Sequence, residues 1–149
     1  MPTALSYELH KLTARLDRAA DGLLRSDAGV SYARFLALFA VSEGVTGQRE
    51  LARWLGQTEP STSRMVGVLG AEGLLSATTV KGTGNRRRLR LTETGNELVD
   101  RCGRLLEGRF EDLVKRSGVP YAAYLRHTQR LLSQLDADQQ VPSEAREAV

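Results

Sequence analysis

The chain has 149 residues and a mass of 16.4 kDa, which suits a single domain. Hydrophobic residues make up 41% and charged residues 26%, a balance typical of folded proteins that excludes wholesale disorder. No stretch reaches the roughly 18 apolar residues of a membrane span, and the charged N-terminus lacks the apolar core of a signal peptide. The one cysteine, Cys102, excludes an internal disulfide and a multi-cysteine metal site. We therefore expect a cytoplasmic protein without membrane association, metal or cofactor.

The distribution of charge is more informative than the net charge of +3. Residues 81–90, KGTGNRRRLR, contain five basic side chains and no acid, so the rest of the chain is slightly acidic. A run of this kind is either a solvated loop or an element that contacts phosphate. Its structural setting has to decide between the two.

The N-terminal segment predicts a helix of about twenty residues with a heptad-like apolar stripe. The stripe consists of Leu5, Leu9, Leu12, Leu16, Ala19 and Leu23, and the run at 26–31 is expected to end the helix. Such a stripe packs either into the core of its own domain or against a second subunit. The following segment, 32–42, is apolar nearly all round and predicts a central buried helix capped by Ser31.

Residues 46–75 predict two short helices joined by a tight turn. Thr46 is expected to cap the first, at 48–55, and Thr58 to cap the second. Gly56 suits the turn between them, and the whole is the helix-turn-helix pattern. The first turns of the second helix would present small hydroxyls and one guanidinium to a major groove. These candidate DNA contacts are Ser61, Thr62, Ser63 and Arg64.

After Leu75 the pattern becomes that of a β-hairpin. Residues 76–80 are rich in β-formers, a glycine-rich turn follows, and 88–92 alternates inward leucines with outward arginines. The basic run is thus the tip and return strand of a hairpin directly after a helix-turn-helix. This winged-helix setting favours DNA contact over a solvated loop, and the candidate contacts are Lys81, Arg86, Arg87 and Arg88. Two further helices are predicted, at about 93–116 and from 121 to about 135.

The order of these elements over residues 5–135 resembles that of the MarR family of bacterial winged-helix regulators. The motifs that support the resemblance are QRELARWLG, STSRMVGVLGAEGLL and RLRLTETGNELV. The last of them contains the L-T-x-x-G of Leu91, Thr92 and Gly95. The fold class that we expect is mainly α with a small β-hairpin wing, a winged helix-turn-helix lobe plus a helical dimerisation lobe.

The resemblance implies a single domain, 1–136, with the winged helix-turn-helix lobe at about 31–92. Dimerisation helices would lie at about 3–25 and 93–135, and 137–149 would be a flexible tail. A homodimer would place two recognition helices in major grooves of double-stranded DNA and two wings in the flanking minor grooves. Its two-fold symmetry predicts a pseudo-palindromic site.

Two positions depart from the family pattern. The wing of the family usually carries Asp-x-Arg, and the nearest match here is Asn85-Arg86-Arg87. The arginine that enters the minor groove is therefore open among Arg86, Arg87 and Arg88. The second departure is Gln57, at the helix-turn-helix turn, where an apolar residue is commoner; its amide could cap a helix or contact phosphate.

Family members often bind small aromatic effectors in a crevice between the dimer helices and the DNA-binding lobe. The residues that the resemblance places there are Tyr7, His10, Tyr32, Phe35 and Phe39, although core packing explains them equally well. Cys102 is interpreted as a small buried residue rather than a redox sensor, and Trp54 as a packing residue. No cluster of His, Cys and carboxylate residues has the spacing of a metal site.

The expected function is that of a sequence-specific transcriptional regulator, a repressor that a small effector releases from its operator. The alternative is a winged-helix protein that acts through a protein partner, or that binds DNA without sequence choice. An enzyme is not expected, because the sequence holds no phosphate loop, nucleophile elbow or cofactor motif.

Overall fold

The computed structural model describes residues 4–82 and 86–140. Within these residues it contains six α-helices and one two-stranded antiparallel hairpin. The elements are α1 (Leu5–Ala28), α2 (Tyr32–Ser42), α3 (Gln48–Leu55), α4 (Glu59–Ala71), β1 (Leu75–Thr79), β2 (Arg87–Leu91), α5 (Glu93–Ser117) and α6 (Tyr121–Gln140). The predicted mainly α fold with a hairpin wing is confirmed. None of the described helices is long and apolar enough to cross a membrane.

The chain forms two compact units, of which the first ends at Leu106 and the second begins at Glu107. The boundary lies inside α5, so the first unit contains α1 to α4, the hairpin and the first part of α5. The second unit contains the rest of α5 and all of α6. The predicted DNA-binding and dimerisation lobes are defined by how two subunits pair. This division of the chain therefore stays a prediction.

The core of the first unit is made of leucines from five different elements. Leu24, Leu38, Leu51, Leu69 and Leu89 lie on α1, α2, α3, α4 and β2, and none has more than 1% of its surface exposed. Burying a leucine completely contributes about 1.5–3 kcal/mol, so this cluster helps to hold α1 to α4 and β2 together. The position of α2 at the centre agrees with its nearly continuous apolar sequence.

Helix α1 is longer than expected, because Gly22 lies within it and the helix continues to Ala28. Gly29 ends the helix by adopting a φ of 66°, and its N–H bonds to the carbonyl of Leu24. Leu24 is the one buried residue of α1. Most of the leucine stripe is therefore not used by the core of the first unit, which favours the second-subunit alternative.

Of the two side-chain caps predicted in the helix-turn-helix, one is observed and one is not. Thr58 Oγ1 accepts the N–H of Ser61 at 3.2 Å and caps α4, as predicted. The prediction that Thr46 caps α3 is wrong, since Gly47 is the N-cap residue and no side chain caps this helix. The carbonyl of Thr46 instead accepts the N–H of Leu89 at 2.8 Å, and Gly47 pairs with Arg88. This segment is hydrogen-bonded to the free edge of β2, which joins the wing to the start of α3.

The L-T-x-x-G motif forms the junction between β2, the end of α4 and the start of α5. Thr92 Oγ1 donates to the carbonyl of Gly73 at 2.6 Å and accepts the N–H of Gly95 at 3.0 Å. The N–H of Thr92 donates to the carbonyl of Leu74 at 3.2 Å. The start of α5 approaches this backbone so closely that a Cβ on Gly95 would lie 2.0 Å from the Leu74 oxygen. Glycine is therefore required at this position by direct steric contact.

Helix α6 continues to Gln140, beyond the end predicted for it. Residues 137–140, which were expected to belong to a flexible tail, are thus helical, and 141–149 lie outside the described residues, so the flexibility of the tail stays a prediction. Gln134 Nε2 donates to Asp138 Oδ1 at 2.9 Å, one helical turn further on. Side-chain pairs of this kind stabilise an exposed helix locally. The polar composition of this segment did not predict that the helix continues.

Candidate nucleic-acid interface

The outward surface of α4 carries a single charged side chain between its second and last residues. The exposed residues there are Pro60, Ser63, Arg64, Gly67, Val68, Gly70 and Ala71. A helix surface of small side chains can approach a groove closely. One long guanidinium projecting from it is suited to a bidentate contact with guanine.

Acidic residues at the two ends of α4 are paired with arginines from other helices. Arg49 Nε contacts Glu59 Oε1 at 2.9 Å, and Arg34 Nη1 contacts Glu72 Oε1 at 3.0 Å. In the described part of the chain Arg64 makes no ion pair, so the alternative pairing of Arg64 with Glu59 is not observed. Its guanidinium is available to a partner outside the chain.

The three predicted hydroxyl contacts of α4 have different surroundings. Ser63 is exposed, and Ser61 is half-buried beside the cap. Thr62 is fully buried, and its Oγ1 donates to the carbonyl of Thr58 at 3.0 Å. Thr62 therefore faces the core with Val66 and Leu69, and its expected role as a DNA contact is corrected to that of a packing residue.

The hairpin presents a basic outer face. Antiparallel pairing places Thr78 opposite Arg88 and Ser76 opposite Arg90, while Leu89 between them is buried. The two arginines are exposed on one face of the sheet because side chains alternate along a strand. Arg90 was not among the candidate contacts, although the alternation in the sequence already placed it outward beside Arg88.

The remaining basic candidates lie nearer the hairpin tip. Lys81, Arg86 and Arg87 are all exposed, and Arg87 lies opposite Thr79. No acidic residue occurs in the described part of the hairpin, 75–82 and 86–91. Asn85, from the comparison with the family motif, lies outside the described residues. The wing therefore combines five cations with no compensating charge on its own strands.

The architecture is similar to that of solved transcription regulators. The alignment with MarR from E. coli covers 91% of this chain and 98% of the MarR chain, with a TM-score of 0.73 and 20% identity. BldR from Sulfolobus solfataricus covers 87% and 93%, with a TM-score of 0.74 and 20% identity. The repressor CouR, solved on a 23-mer DNA duplex, covers 92% and 93%, with a TM-score of 0.70 and 24% identity. This chain has the MarR-type winged-helix fold.

Sequence comparison adds nothing to this structural likeness. No protein-family model matches the chain. No curated protein matches it either. The likeness therefore establishes the MarR-type fold, and the function has to be argued from the residues of the interface.

Gln57 gives the turn of this MarR-type helix-turn-helix a buried polar atom. Its Oε1 is buried and has no hydrogen-bond partner among the described residues. The Gln57 side chain caps neither α3 nor α4, and the suggested phosphate contact stays a prediction. A buried acceptor without a partner costs about 1–3 kcal/mol of stability.

The Gln57→Leu variant is therefore expected to be more stable than the wild type by about 1 kcal/mol. Leucine has a similar size and removes the unpaired carbonyl oxygen. Urea denaturation of the two proteins, followed by circular dichroism, measures the difference. Gln57→Glu is the control and should be less stable, since it places a charge at the same position. Equal or lower stability of the leucine variant would show that Oε1 is solvated.

The predicted effector residues are only partly brought together in this MarR-type fold. Tyr32, Phe35 and Phe39 form a stacked series on α2, with ring centroids 6.2 and 5.9 Å apart. Phe35 is almost fully buried, so its ring belongs to the core. Tyr7 and His10 are exposed on α1, and none of the described ring contacts joins them to α2. The pocket assignment stays a prediction.

An open cavity of about 440 Å³ lies elsewhere in the first unit, between the end of α1 and α5. Its lining residues are Asp27, Ala28, Arg101, Cys102, Arg104 and Leu105, none of which was predicted to bind an effector. Cys102 is fully buried, and this burial raises the pKa of its thiol although Arg101 acts in the opposite direction. A buried thiol with a raised pKa is a poor nucleophile, in agreement with its interpretation as a core residue.

Trp54 is the remaining residue that sequence analysis singled out. Its ring lies 6.4 Å from that of Phe39 and is tilted against it. The other side of the indole is open, since 46% of the residue is exposed. Trp54 thus packs with one face and contacts solvent with the other.

Proposed function

We propose that the chain is a MarR-family transcriptional regulator that binds double-stranded DNA as a homodimer and catalyses no reaction. The observation that supports this best concerns two exposed elements. Arg64 on α4 makes no ion pair in the described part of the chain, and the basic wing contains no acidic residue. Leu69 of α4 and Leu89 of β2 are buried in the same core, so the two elements can dock as one body. Such a regulator works on the genome and hence in the cytoplasm.

The two elements would contact DNA in different ways. Helix α4 would enter the major groove, with Arg64 directed at a base edge and Ser63 at a base or phosphate. The wing would follow the backbone into the adjacent minor groove, where a narrow groove attracts arginine. Arg88 and Arg90 occupy the outer face of the sheet, and Arg86 and Arg87 lie towards its tip. These contacts combine sequence readout with salt-dependent phosphate binding.

The homodimer is supported by exposed apolar side chains on the terminal helices. Helix α6 has no buried residue, and its exposed leucines are Leu125, Leu131, Leu132 and Leu135. Helix α1 exposes Leu5 and Leu12 in the same way. Rows of exposed leucine are uncommon on monomers and mark interfaces. A two-fold axis would then place the two recognition helices about one turn of DNA apart.

We expect the Leu132→Asp variant to be monomeric and to bind a palindromic duplex at least tenfold more weakly. The carboxylate would have to be buried without a partner in the subunit interface, which costs several kcal/mol. Sedimentation equilibrium measures the mass of the particle, and fluorescence anisotropy measures duplex binding. Ser133→Asp adds the same charge on the polar side of α6, next to Arg130, and should remain dimeric. If the Leu132→Asp protein is still dimeric, this face of α6 does not form the subunit interface.

The finer proposal is a repressor that a small aromatic effector releases. The half-buried rings of Tyr32 and Phe39 on α2 support an aromatic ligand. An effector that alters the separation of the recognition helices would weaken operator binding by a coupling free energy of about 1–3 kcal/mol. Addition of small phenolic compounds to the protein–operator complex tests this step.

A selection from genomic DNA tests the proposed function. The purified protein is incubated with sheared DNA of its own organism at near-physiological salt, and the bound fragments are sequenced. We expect enrichment of a palindrome upstream of a small number of genes. Bound DNA without a shared motif would instead support non-specific binding or a role through a protein partner.

A further inference from the structure

One residue on the outward face of α4 is explained neither by packing nor by charge. Val68 is 39% exposed, and it lies one helical turn beyond Arg64 on the same side of the helix. The inward positions of α4 are filled by Thr62, Val66 and Leu69, so the core does not need Val68. Valine is also a poorer helix former than the charged or small residues usual at an exposed site.

The exposed residues next to Val68 are small, so its isopropyl group projects beyond them. Gly67 precedes it, and a Cβ added there would contact nothing within 4 Å. Gly70 and Ala71 on the next turn are small and exposed. From Arg64 to the end of α4, the outward face thus presents one guanidinium and one branched apolar group, with little else above the helix backbone.

We infer that Val68 reads the C5-methyl group of a thymine in the operator, beside a guanine read by Arg64. The inference rests on the proposed function and adds the chemistry of the half-site to it. In the major groove the thymine methyl is the apolar feature of the base edges, and it is bound by apolar side chains. Guanine offers two acceptors that match a guanidinium.

The helix geometry sets the distance between the two bases. Residues 64 and 68 are separated by four steps of about 1.5 Å along the helix axis, roughly 6 Å in all. Base pairs are spaced about 3.4 Å apart, so the thymine lies within about two base pairs of the guanine. A half-site with a guanine and a thymine at this separation is the pattern that the recognition helix should select.

The test is a thermodynamic cycle between Val68 and the thymine methyl. A duplex is first selected from a random-sequence pool by the wild-type protein. Each thymine of its half-sites is then replaced in turn by deoxyuridine, which lacks only the methyl group. Affinities are measured for the wild type, for Val68→Ala and for Val68→Thr, which retains a methyl group at nearly the same position.

At one thymine, deoxyuridine should weaken wild-type binding about fourfold per half-site, as expected for one buried methyl group. Val68→Ala should bind the thymine and deoxyuridine duplexes within a factor of two of each other, and Val68→Thr should resemble the wild type. If Val68→Ala keeps the full sensitivity, or if no thymine shows any, the inference is overturned and the regulator assignment stands. If the pool yields no preferred sequence, the proposed function fails and the inference fails with it.

Discussion

The Gly95→Ala variant is expected to be destabilised by about 3 kcal/mol or more, enough to unfold much of the protein near its growth temperature. The added Cβ would lie 2.0 Å from the Leu74 carbonyl oxygen and 3.4 Å from Thr92 Oγ1. Backbone cannot move aside as the end of a flexible side chain can. The start of α5 would have to separate from the end of α4, and the hydrogen bonds of Thr92 would be lost with it.

The control for Gly95→Ala is the same substitution at an open position of the same helix. Gly108 is exposed on α5, and a Cβ added there would meet nothing within 4 Å. Gly108→Ala should therefore be more stable than the wild type by about 0.5–1 kcal/mol, the usual gain for alanine in a helix. Thermal melting of the three proteins separates steric contact from helix propensity. A Gly95→Ala protein as stable as the wild type would contradict the close approach at this junction.

The Arg64→Ala variant should lose about 1–3 kcal/mol of binding to its preferred half-site and retain most of its affinity for unrelated DNA. The reason is that Arg64 is the only charged side chain between the second and last residues of α4, whereas the cations of the wing are unchanged. Fluorescence anisotropy with the selected duplex and a scrambled duplex gives both affinities at one salt concentration.

Arg25→Ala removes the same charge at a site away from the proposed interface. Arg25 is exposed near the end of α1 and paired with Asp21 at 2.8 Å, so its loss should leave both affinities within a factor of two. A uniform loss of affinity for both duplexes in Arg64→Ala would make this arginine a phosphate contact. The specificity would then have to come from other residues.

Local sequence signals predicted those elements whose causes are local. Ser31 and Thr58 cap α2 and α4 with their own side chains, and glycine ends α3 at a φ of 65°. The hairpin followed from alternation, and its register places Leu89 inward and Arg88 outward as expected. In each case a few neighbouring residues contain the physical reason for the structure.

The sequence-based predictions failed where a residue distant in the sequence determines the local structure. Thr46 does not cap α3, because its segment pairs with β2 about forty residues later. The pairing of Arg49 with Glu59 could not be read from sequence either, since it depends on how α3 and α4 pack. Thr62 is different: its spacing of four and seven from Val66 and Leu69 already indicated the inward face of α4.

The central claim is that this chain distinguishes one DNA sequence from others. The most direct test is the ratio of its affinities for the selected palindrome and for a scrambled duplex of equal length, at near-physiological salt. The account predicts a ratio of about a thousand or more, as expected when base edges are read in addition to phosphates. A ratio near one, with both affinities falling equally as salt is raised, would contradict it.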